Sequence, residues 1–155
     1  MRARQDYCLT GSSLWNHYPV ETTRHANPAD QSTVIAIWSE CGLVKPQNDP
    51  VIDFKLALST PTSTVLILEN DGLMIGAAIV GFDGHRGWFY YLGIKPDYQN
   101  SGNGRTLVSA AEDWLKKQGA PKAMLMVRHT NSAVIEFYEK LGYKVEDTSV
   151  MGKRF

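Results

Sequence analysis

The order of apolar and polar residues predicts three neighbouring strands in the middle of the chain. Residues 63–69, 73–82 and 88–94 are short runs rich in β-branched, aromatic and other apolar residues. The gaps between them contain the pairs Asp71-Gly72 and Asp83-Gly84, which are typical of hairpin turns. Because short turns join antiparallel strands, these segments predict an antiparallel meander.

Four other segments repeat apolar residues every three or four positions, as helices with one buried face do. Three of them begin after residues that commonly cap helices: Asn27, which is followed by Pro28, then Asp49 and Asn131. The third segment along the chain instead follows a glycine-rich loop. The predicted helices cover residues 28–41, 50–58, 104–118 and 132–141.

Three further β-type runs complete the element order, at residues 18–24, 123–127 and 143–150. The resulting order, β-α-α-β-β-β-α-β-α-β, predicts an α/β (α+β) fold with a mixed, mostly antiparallel central sheet flanked by helices. Within it, residues 88–127 are predicted to form a right-handed parallel crossover, the usual arrangement when a helix joins two strands of one sheet.

Length and charge limit the class of protein. The 155 residues suffice for one hydrophobic core, which we assign to a single domain at residues 19–155, with residues 1–18 as an N-terminal extension. Sixteen basic residues balance sixteen acidic ones, so no net field favours nucleic acid or an anionic membrane. Cys8 and Cys41 lack metal-ligand spacing, and no apolar run reaches the roughly 20 residues of a membrane span. We therefore expect a cytoplasmic protein without metal, nucleic-acid or membrane partners.

A glycine-rich loop lies between the strand ending near Ile94 and the helix beginning near Gly104. The first turn of a helix has unpaired N–H groups and a positive dipole end, so this junction suits a phosphate group. Glycines allow the backbone to approach phosphate oxygens and to adopt positive φ, and Arg105 adds positive charge. An ordinary glycine-rich turn is the alternative interpretation. The loop sequence is Gln99-Asn100-Ser101-Gly102-Asn103-Gly104.

Two blocks of the sequence carry a family resemblance. One is Gln99-x-x-Gly102-x-Gly104, and the other runs from Asn131-Ser132-Ala133 to Phe137-Tyr138-Glu139-Lys140-Leu141-Gly142-Tyr143. They are similar to the Gln/Arg-x-x-Gly-x-Gly/Ala and Asn-x-x-Ala…Phe-Tyr-x-x-x-Gly-Phe segments of the GNAT family of N-acetyltransferases. The resemblance covers residues 19–155. It implies the GNAT fold, acetyl-CoA as cosubstrate and a primary amine of a small molecule or protein as acceptor. Because family members are often dimers, a homodimer is one of the assemblies to expect, and the sequence itself leaves the oligomeric state open.

The resemblance implies where the cosubstrate binds. The amides of the glycine-rich loop would hold the pyrophosphate of coenzyme A, and the pantetheine arm would pair with the end of the preceding strand, where Gly93 permits close approach. Asn131 would contact the arm, in addition to capping its helix. The implied residues are Leu92, Gly93, Ile94, Gln99, Asn100, Ser101, Gly102, Asn103, Gly104, Arg105 and Asn131.

The resemblance implies a proton donor but does not identify the general base. Tyr138 matches the position from which many family members protonate the departing thiolate, a task that suits a phenol with a pKa of about 10. A core aromatic residue is the alternative interpretation. Residues 88–94 contain no carboxylate, although family members often have a Glu there. Asp83 and His85, at the start of that strand, are therefore candidate bases, with a polar hairpin turn as the alternative.

Two other functions stay open, and the missing carboxylate favours the first of them. One is a non-catalytic acetyl-CoA-binding sensor or interaction module, and the other is the binding of a different phosphate ligand by the same loop. Aromatic residues near the expected acceptor site add a structural prediction. Because a strand alternates its faces, Trp88 and Tyr90 are predicted on one face and Phe89 and Tyr91 on the other.

Overall fold

The computed structural model describes residues 20–155 and contains one five-stranded sheet, in the order β1-β2-β3-β4-β5. The first four strands pair antiparallel with their neighbours, and β5 pairs parallel with β4. This confirms the predicted mixed, mostly antiparallel sheet. The predicted extension at residues 1–18 lies outside the described residues. The strands are β1 (Glu21–His25), β2 (Ser63–Asn70), β3 (Leu73–Phe82), β4 (Gly87–Ile94) and β5 (Ala123–Met124), and the helices are α1 (Gln31–Glu40), α2 (Pro50–Ser59), α3 (Asn103–Lys117) and α4 (Ser132–Glu139).

The sheet separates two hydrophobic cores, because successive side chains of a strand point to opposite faces. On one face, Leu66 and Leu68 of β2 pack in a core with residues of α3 and α4. On the other, Val65 and Ile67 pack in a core with residues of α1 and α2, including the fully buried Trp38. We call these the α3/α4 face and the α1/α2 face. The helices thus cover both sides of the sheet, as predicted.

The carboxyl-terminal part of the chain differs from the prediction. β5 ends at Met124 instead of residue 127, and residues 143–150 form no strand within the described chain. Tyr143, at the start of this run, packs against the core of the α3/α4 face, but Val145 and Val150 are 75% and 74% exposed. A strand gains most of its stability from packing one face, and the apolar residues after Tyr143 supply no such face. The prediction of a closing strand was therefore wrong.

Candidate functional site

Helix α3 begins without the side-chain cap that α2 and α4 have. Asp49 accepts hydrogen bonds from the amides of Val51 and Ile52, and Asn131 accepts one from Val134. The N-cap of α3 is instead Gly102, with φ of 91°, which offers no side-chain acceptor. Its first helical amides therefore have no acceptor among the described residues, and they form the kind of site that binds anions.

Polar side chains beneath the loop hold its shape. Gln99 Nε2 donates to the Ile94 carbonyl at 2.8 Å, and Asn103 Nδ2 donates to the Tyr98 carbonyl at 2.7 Å. Asn100 adopts a positive φ of 61° between them. These contacts fix the loop so that its backbone, rather than these two amide groups, faces outward. Sequence analysis placed Gln99 and Asn103 at the site, and the structure adds what their side chains do there.

One buried atom near the loop lacks a partner. Asn103 is 4% exposed, and its Oδ1 accepts no hydrogen bond within the described part of the chain. An unsatisfied buried acceptor costs about 1–3 kcal/mol, so a donor group is expected to reach it. The unpartnered oxygen is compatible with a ligand that carries N–H or O–H donors as well as phosphate. Coenzyme A, with its amides and hydroxyls, meets both requirements.

The sheet opens beside this loop. The ladder between β4 and β5 contains only the pairs Gly87–Ala123 and Trp88–Met124. Beyond Trp88, the edge of β4 therefore has no strand partner on the β5 side among the described residues. An extended chain with donors and acceptors can add to such an edge. This open edge includes Leu92, one of the residues expected to contact the pantetheine arm.

Two glycines near the opening are also required for close packing between elements. A Cβ on Gly93 would lie 2.9 Å from Cys41 Sγ and from Leu43 Cδ1, closer than real Cβ atoms approach. Gly93 thus permits the end of α1 to pack on β4. A Cβ on Gly104 would lie 3.1 Å from Phe137 Cζ, so this glycine brings the start of α3 close to α4. Sequence analysis connected both glycines only with the cosubstrate.

A β-bulge reorders the aromatic residues of β4. Ala77 pairs with Gly93 and Ile79 pairs with Tyr90, so Ala78 faces two residues, Tyr91 and Leu92. Tyr91 has a φ of 52°, and this left-handed conformation costs a bulky residue about 1–2 kcal/mol.

The bulge makes the predicted alternation wrong for Tyr91. Trp88 and Tyr90 stack on one another, as expected for residues of one face. Phe89 packs in the core of the α3/α4 face, whereas Tyr91 packs in that of the α1/α2 face. Tyr90, opposite the α1/α2-face residue Ile79, and Tyr91 therefore lie on the same side of the sheet.

Tyr91 connects the bulge to helix α2. Its hydroxyl donates a hydrogen bond of 2.7 Å to Asp53 Oδ2, and its ring packs on that of Trp38 with centroids 4.6 Å apart. Burial and the hydrogen bond to Asp53 raise the pKa of Tyr91 to about 12. Both residues line a cavity of about 390 Å³ between α2 and the sheet. Sequence analysis missed Asp53, although a carboxylate within the apolar run Val51 to Leu58 was a usable signal.

Tyr138 lies on the opposite face. It is 8% exposed, and its ring packs against those of Phe137 and Tyr143. Burial raises the pKa of Tyr138 to about 12, so the phenol keeps its proton at neutral pH. The Tyr143 hydroxyl donates to Glu112 at 2.8 Å, whereas that of Tyr138 has no hydrogen-bond partner among residues 20–155. The Tyr138 hydroxyl, unlike that of Tyr143, is therefore available to donate a hydrogen bond to a ligand.

Asp83 and His85 lie in the turn between β3 and β4. Asp83 Oδ1 accepts from the amides of His85 and Arg86, and its Oδ2 accepts from the Trp88 indole at 2.9 Å. The two amides and the indole lower the pKa of Asp83 to about 2, which makes the carboxylate a weak base. This turn precedes β4, whose eight residues span roughly 25 Å, and the glycine-rich loop follows its other end. The structure therefore does not bring either residue to the loop.

The fold and this site define a class: an α/β protein whose sheet opens beside a helix start that lacks a side-chain cap. The sequence profile of the Acetyltransferase (GNAT) family matches residues 11–143. An acetyltransferase of Yersinia pestis (strain Pestoides F) is 43% identical over 125 residues, which cover 81% of this chain and 89% of the relative. One from Pectobacterium atrosepticum is 42% identical with the same coverage. The chain belongs to the GNAT family, and the N-acetyltransferase assignment is confirmed.

Solved structures agree with the fold. An aminoglycoside N-acetyltransferase in complex with coenzyme A has a TM-score of 0.79 at 15% identity, with 91% of this chain and 99% of that chain covered. The PaiA N-acetyltransferase of Thermoplasma acidophilum, also with coenzyme A, has a TM-score of 0.70 at 24% identity, with coverages of 84% and 93%. The relatives together support acetylation that depends on acetyl-CoA. Within residues 20–155, no helix has the length and apolarity needed to span a membrane.

Proposed function

We propose that the protein transfers the acetyl group of acetyl-CoA to a primary amine, with residues 99–105 and the open edge of β4 as the cosubstrate site. The observation that carries this proposal is the start of α3. Its amides have no side-chain cap, and they adjoin the opening between β4 and β5. A diphosphate on those amides would leave the remainder of the molecule free to extend along the edge.

The roles of the chain's own residues follow from that placement. The amides of Gly102, Asn103, Gly104 and Arg105 bind the pyrophosphate, and the exposed Arg105 side chain adds charge. The β4 edge at Leu92 pairs with the pantetheine arm. Asn131 has its Oδ1 directed to the Val134 amide, which leaves its Nδ2 for the arm. Acetyl-CoA supplies an activated acetyl thioester.

Tyr138 assists departure of the sulfur. The departing thiol has a pKa near 8.5, far below that of Tyr138, so the phenol stays protonated and donates a hydrogen bond to the sulfur as negative charge develops there. Burial strengthens such a bond, because water does not compete for the donor. The proton that finally neutralises the thiolate is one that the acceptor nitrogen loses, and this hydroxyl remains hydrogen-bonded to the sulfur.

A thiol-release assay with acetyl-CoA and a panel of primary amines tests the proposal, alongside calorimetry with coenzyme A. We expect coenzyme A to bind and at least one amine to accelerate thiol release over the rate without amine. Binding without release for any amine would favour the sensor function. Absence of binding would refute the assignment of the loop and favour a different phosphate ligand.

A further inference from the structure

We infer that Asp53 and Tyr91 form the acceptor subsite of this transferase, in which Asp53 binds the ammonium group of a cationic amine and accepts its proton. The inference rests on the proposed transfer reaction, because it assigns the second substrate of the same centre. It also replaces Asp83 and His85 as the candidate bases, since the structure places those residues in the turn before β4.

The position of the cavity supports this assignment. Tyr91 lines the cavity on the α1/α2 face, and the next residue, Leu92, lies on the open edge and packs toward the α3/α4 face. The bulge therefore makes the cavity and the cosubstrate edge adjacent along β4. Tyr138 approaches from the α3/α4 face, so an acceptor and a proton donor would meet the thioester from opposite sides of the sheet.

The charged groups at the cavity favour the binding of a cation. Asp53 Oδ2 accepts from Tyr91, while Oδ1 has no partner among residues 20–155 and is left for a ligand. The titratable groups lining the cavity are Asp53, Tyr90 and Tyr91, and none of its described lining residues is basic. Asp49, which lies close enough to raise the pKa of Tyr91, adds a second negative charge. A half-buried carboxylate without a cationic partner favours an ammonium ion.

The other lining residues limit the rest of the acceptor. Leu56, Ala57 and Ile79 supply apolar surface, and the amide of Asn48 supplies hydrogen-bonding groups. The Ser63 hydroxyl already donates to the Ala57 carbonyl at 2.9 Å. The cavity thus fits a small alkylammonium with an apolar portion, and it disfavours an amine that carries an anionic group close to its nitrogen.

The transfer exchanges a C–S bond for a C–N bond and releases one net proton. The ammonium nitrogen gives one proton to the Asp53 carboxylate, which releases it to solvent, and the nitrogen lone pair then attacks the thioester carbonyl carbon. The C–N bond forms, the C–S bond breaks, and the electron pair of the C–S bond leaves with sulfur. The sulfur gains the second proton lost by the nitrogen, while the Tyr138 hydroxyl remains hydrogen-bonded to it. The products are an amide, a thiol and one proton released to solvent.

The experiment compares Asp53→Asn with wild type, using hexylamine as a cationic probe and glycine as an amine with an adjacent carboxylate. Asp113→Asn is the matched control, because Asp113 is an exposed carboxylate on α3 that, within residues 20–155, forms an ion pair only with Lys116. We expect kcat/KM for hexylamine to fall about 100-fold or more in Asp53→Asn, the size typical of a lost general base. The loss of kcat/KM in Asp53→Asn should become smaller as pH approaches the pKa of the amine, because more of the amine is then already deprotonated. The affinity of the variant for coenzyme A should stay within about twofold of that of wild type.

Wild-type enzyme should prefer hexylamine to glycine by about tenfold or more, and Tyr91→Phe should retain part of the activity because the Asp53 carboxylate remains. Equal rates for Asp53→Asn and wild type, a pH-independent deficit, or a preference for glycine would overturn the inference. Each of these leaves coenzyme A binding intact. They are therefore distinct from failure of the proposed function, in which wild-type protein itself would not bind coenzyme A.

Discussion

The hydroxyl of Tyr91 lies 2.7 Å from Asp53 Oδ2 and connects the bulge of β4 to helix α2. The contact spans 38 residues of sequence, so it restrains how α2 packs on the sheet. It also helps to hold Tyr91 in a left-handed backbone conformation that a bulky residue does not favour by itself.

This contact predicts a stability effect. Tyr91→Phe keeps the ring on Trp38 but removes a hydrogen bond to a carboxylate, so the free energy of unfolding should fall by about 1–2 kcal/mol. Urea unfolding at neutral pH measures the change. Tyr98→Phe is the control, because the Tyr98 hydroxyl makes no hydrogen bond among the described residues. An equal effect of the two substitutions would show that the Asp53 contact contributes nothing.

Gly102→Ala tests the start of α3. Alanine is strained at a φ of 91°, and the shift of the loop amides should raise KM for acetyl-CoA about tenfold or more. Gly42→Ala is a matched control, since Gly42 also has a positive φ, 67°, with open space around its Cβ position. Both variants should lose about 1 kcal/mol of stability, but only Gly102→Ala should weaken acetyl-CoA binding. If both variants keep wild-type KM, the loop does not hold the cosubstrate.

Gly93→Ala tests the packing of α1 on β4. The added Cβ would contact Cys41 Sγ and Leu43 Cδ1 at 2.9 Å, and such overpacking costs about 1–3 kcal/mol. Thermal unfolding should show a lower Tm for this variant. Gly152→Ala, with nothing within 4 Å of its Cβ position, should leave Tm unchanged. An unaltered Tm for Gly93→Ala would mean that α1 does not pack so closely there.

Tyr138→Phe tests the proton donor. Loss of the hydroxyl should lower kcat about 100-fold with little change in KM for acetyl-CoA, because the bond to sulfur forms mainly as the thiolate departs. Tyr143→Phe removes the neighbouring hydroxyl, which donates to Glu112, and should change kcat far less. Steady-state kinetics of both variants measure the two changes in kcat. A normal kcat in Tyr138→Phe with intact folding would leave Tyr138 as a core residue only.

The raised pKa of Tyr138 predicts a loss of stability at alkaline pH. An unfolded tyrosine ionises near pH 10, whereas folded Tyr138 ionises near pH 12. Below pH 10 its contribution is constant, and between pH 10 and 12 the unfolded chain loses a proton that the folded protein keeps, so stability falls. For two pH units this amounts to about 2–3 kcal/mol. Urea unfolding from pH 8 to 11.5 should therefore be less pH-dependent in Tyr138→Phe, and an unchanged dependence would contradict the burial of the phenol.

Sequence alone predicted the parts of the fold that depend on local signals. Asp49 and Asn131 cap the helices that they were expected to cap, and the positive φ at Gly102 follows from a glycine in the loop. The central meander follows the apolar runs with bounds within one residue of prediction. These features can be predicted from the sequence because the residue that causes each one is adjacent to it in the chain.

The arrangement of the acceptor subsite could not be predicted from such local signals. The bulge at Tyr91 contains no glycine, and it arises from the pairing of β3 with β4, so strict alternation misplaced this side chain. The sequence offered Asp53 as a carboxylate within an apolar run, but its contact with Tyr91 depends on how α2 packs against the bulge. The failed strand at residues 143–150 has the same origin, because a suitable pattern forms a strand only where a partner and a core receive it.

Calorimetric titration with coenzyme A, compared with pantetheine, tests the central claim most directly, because pantetheine has the arm but lacks the diphosphate. If the uncapped amides of α3 hold the diphosphate, coenzyme A should bind at least about 100-fold more tightly than pantetheine. Equal affinities for the two compounds, or no binding of coenzyme A at millimolar concentration, would contradict the account.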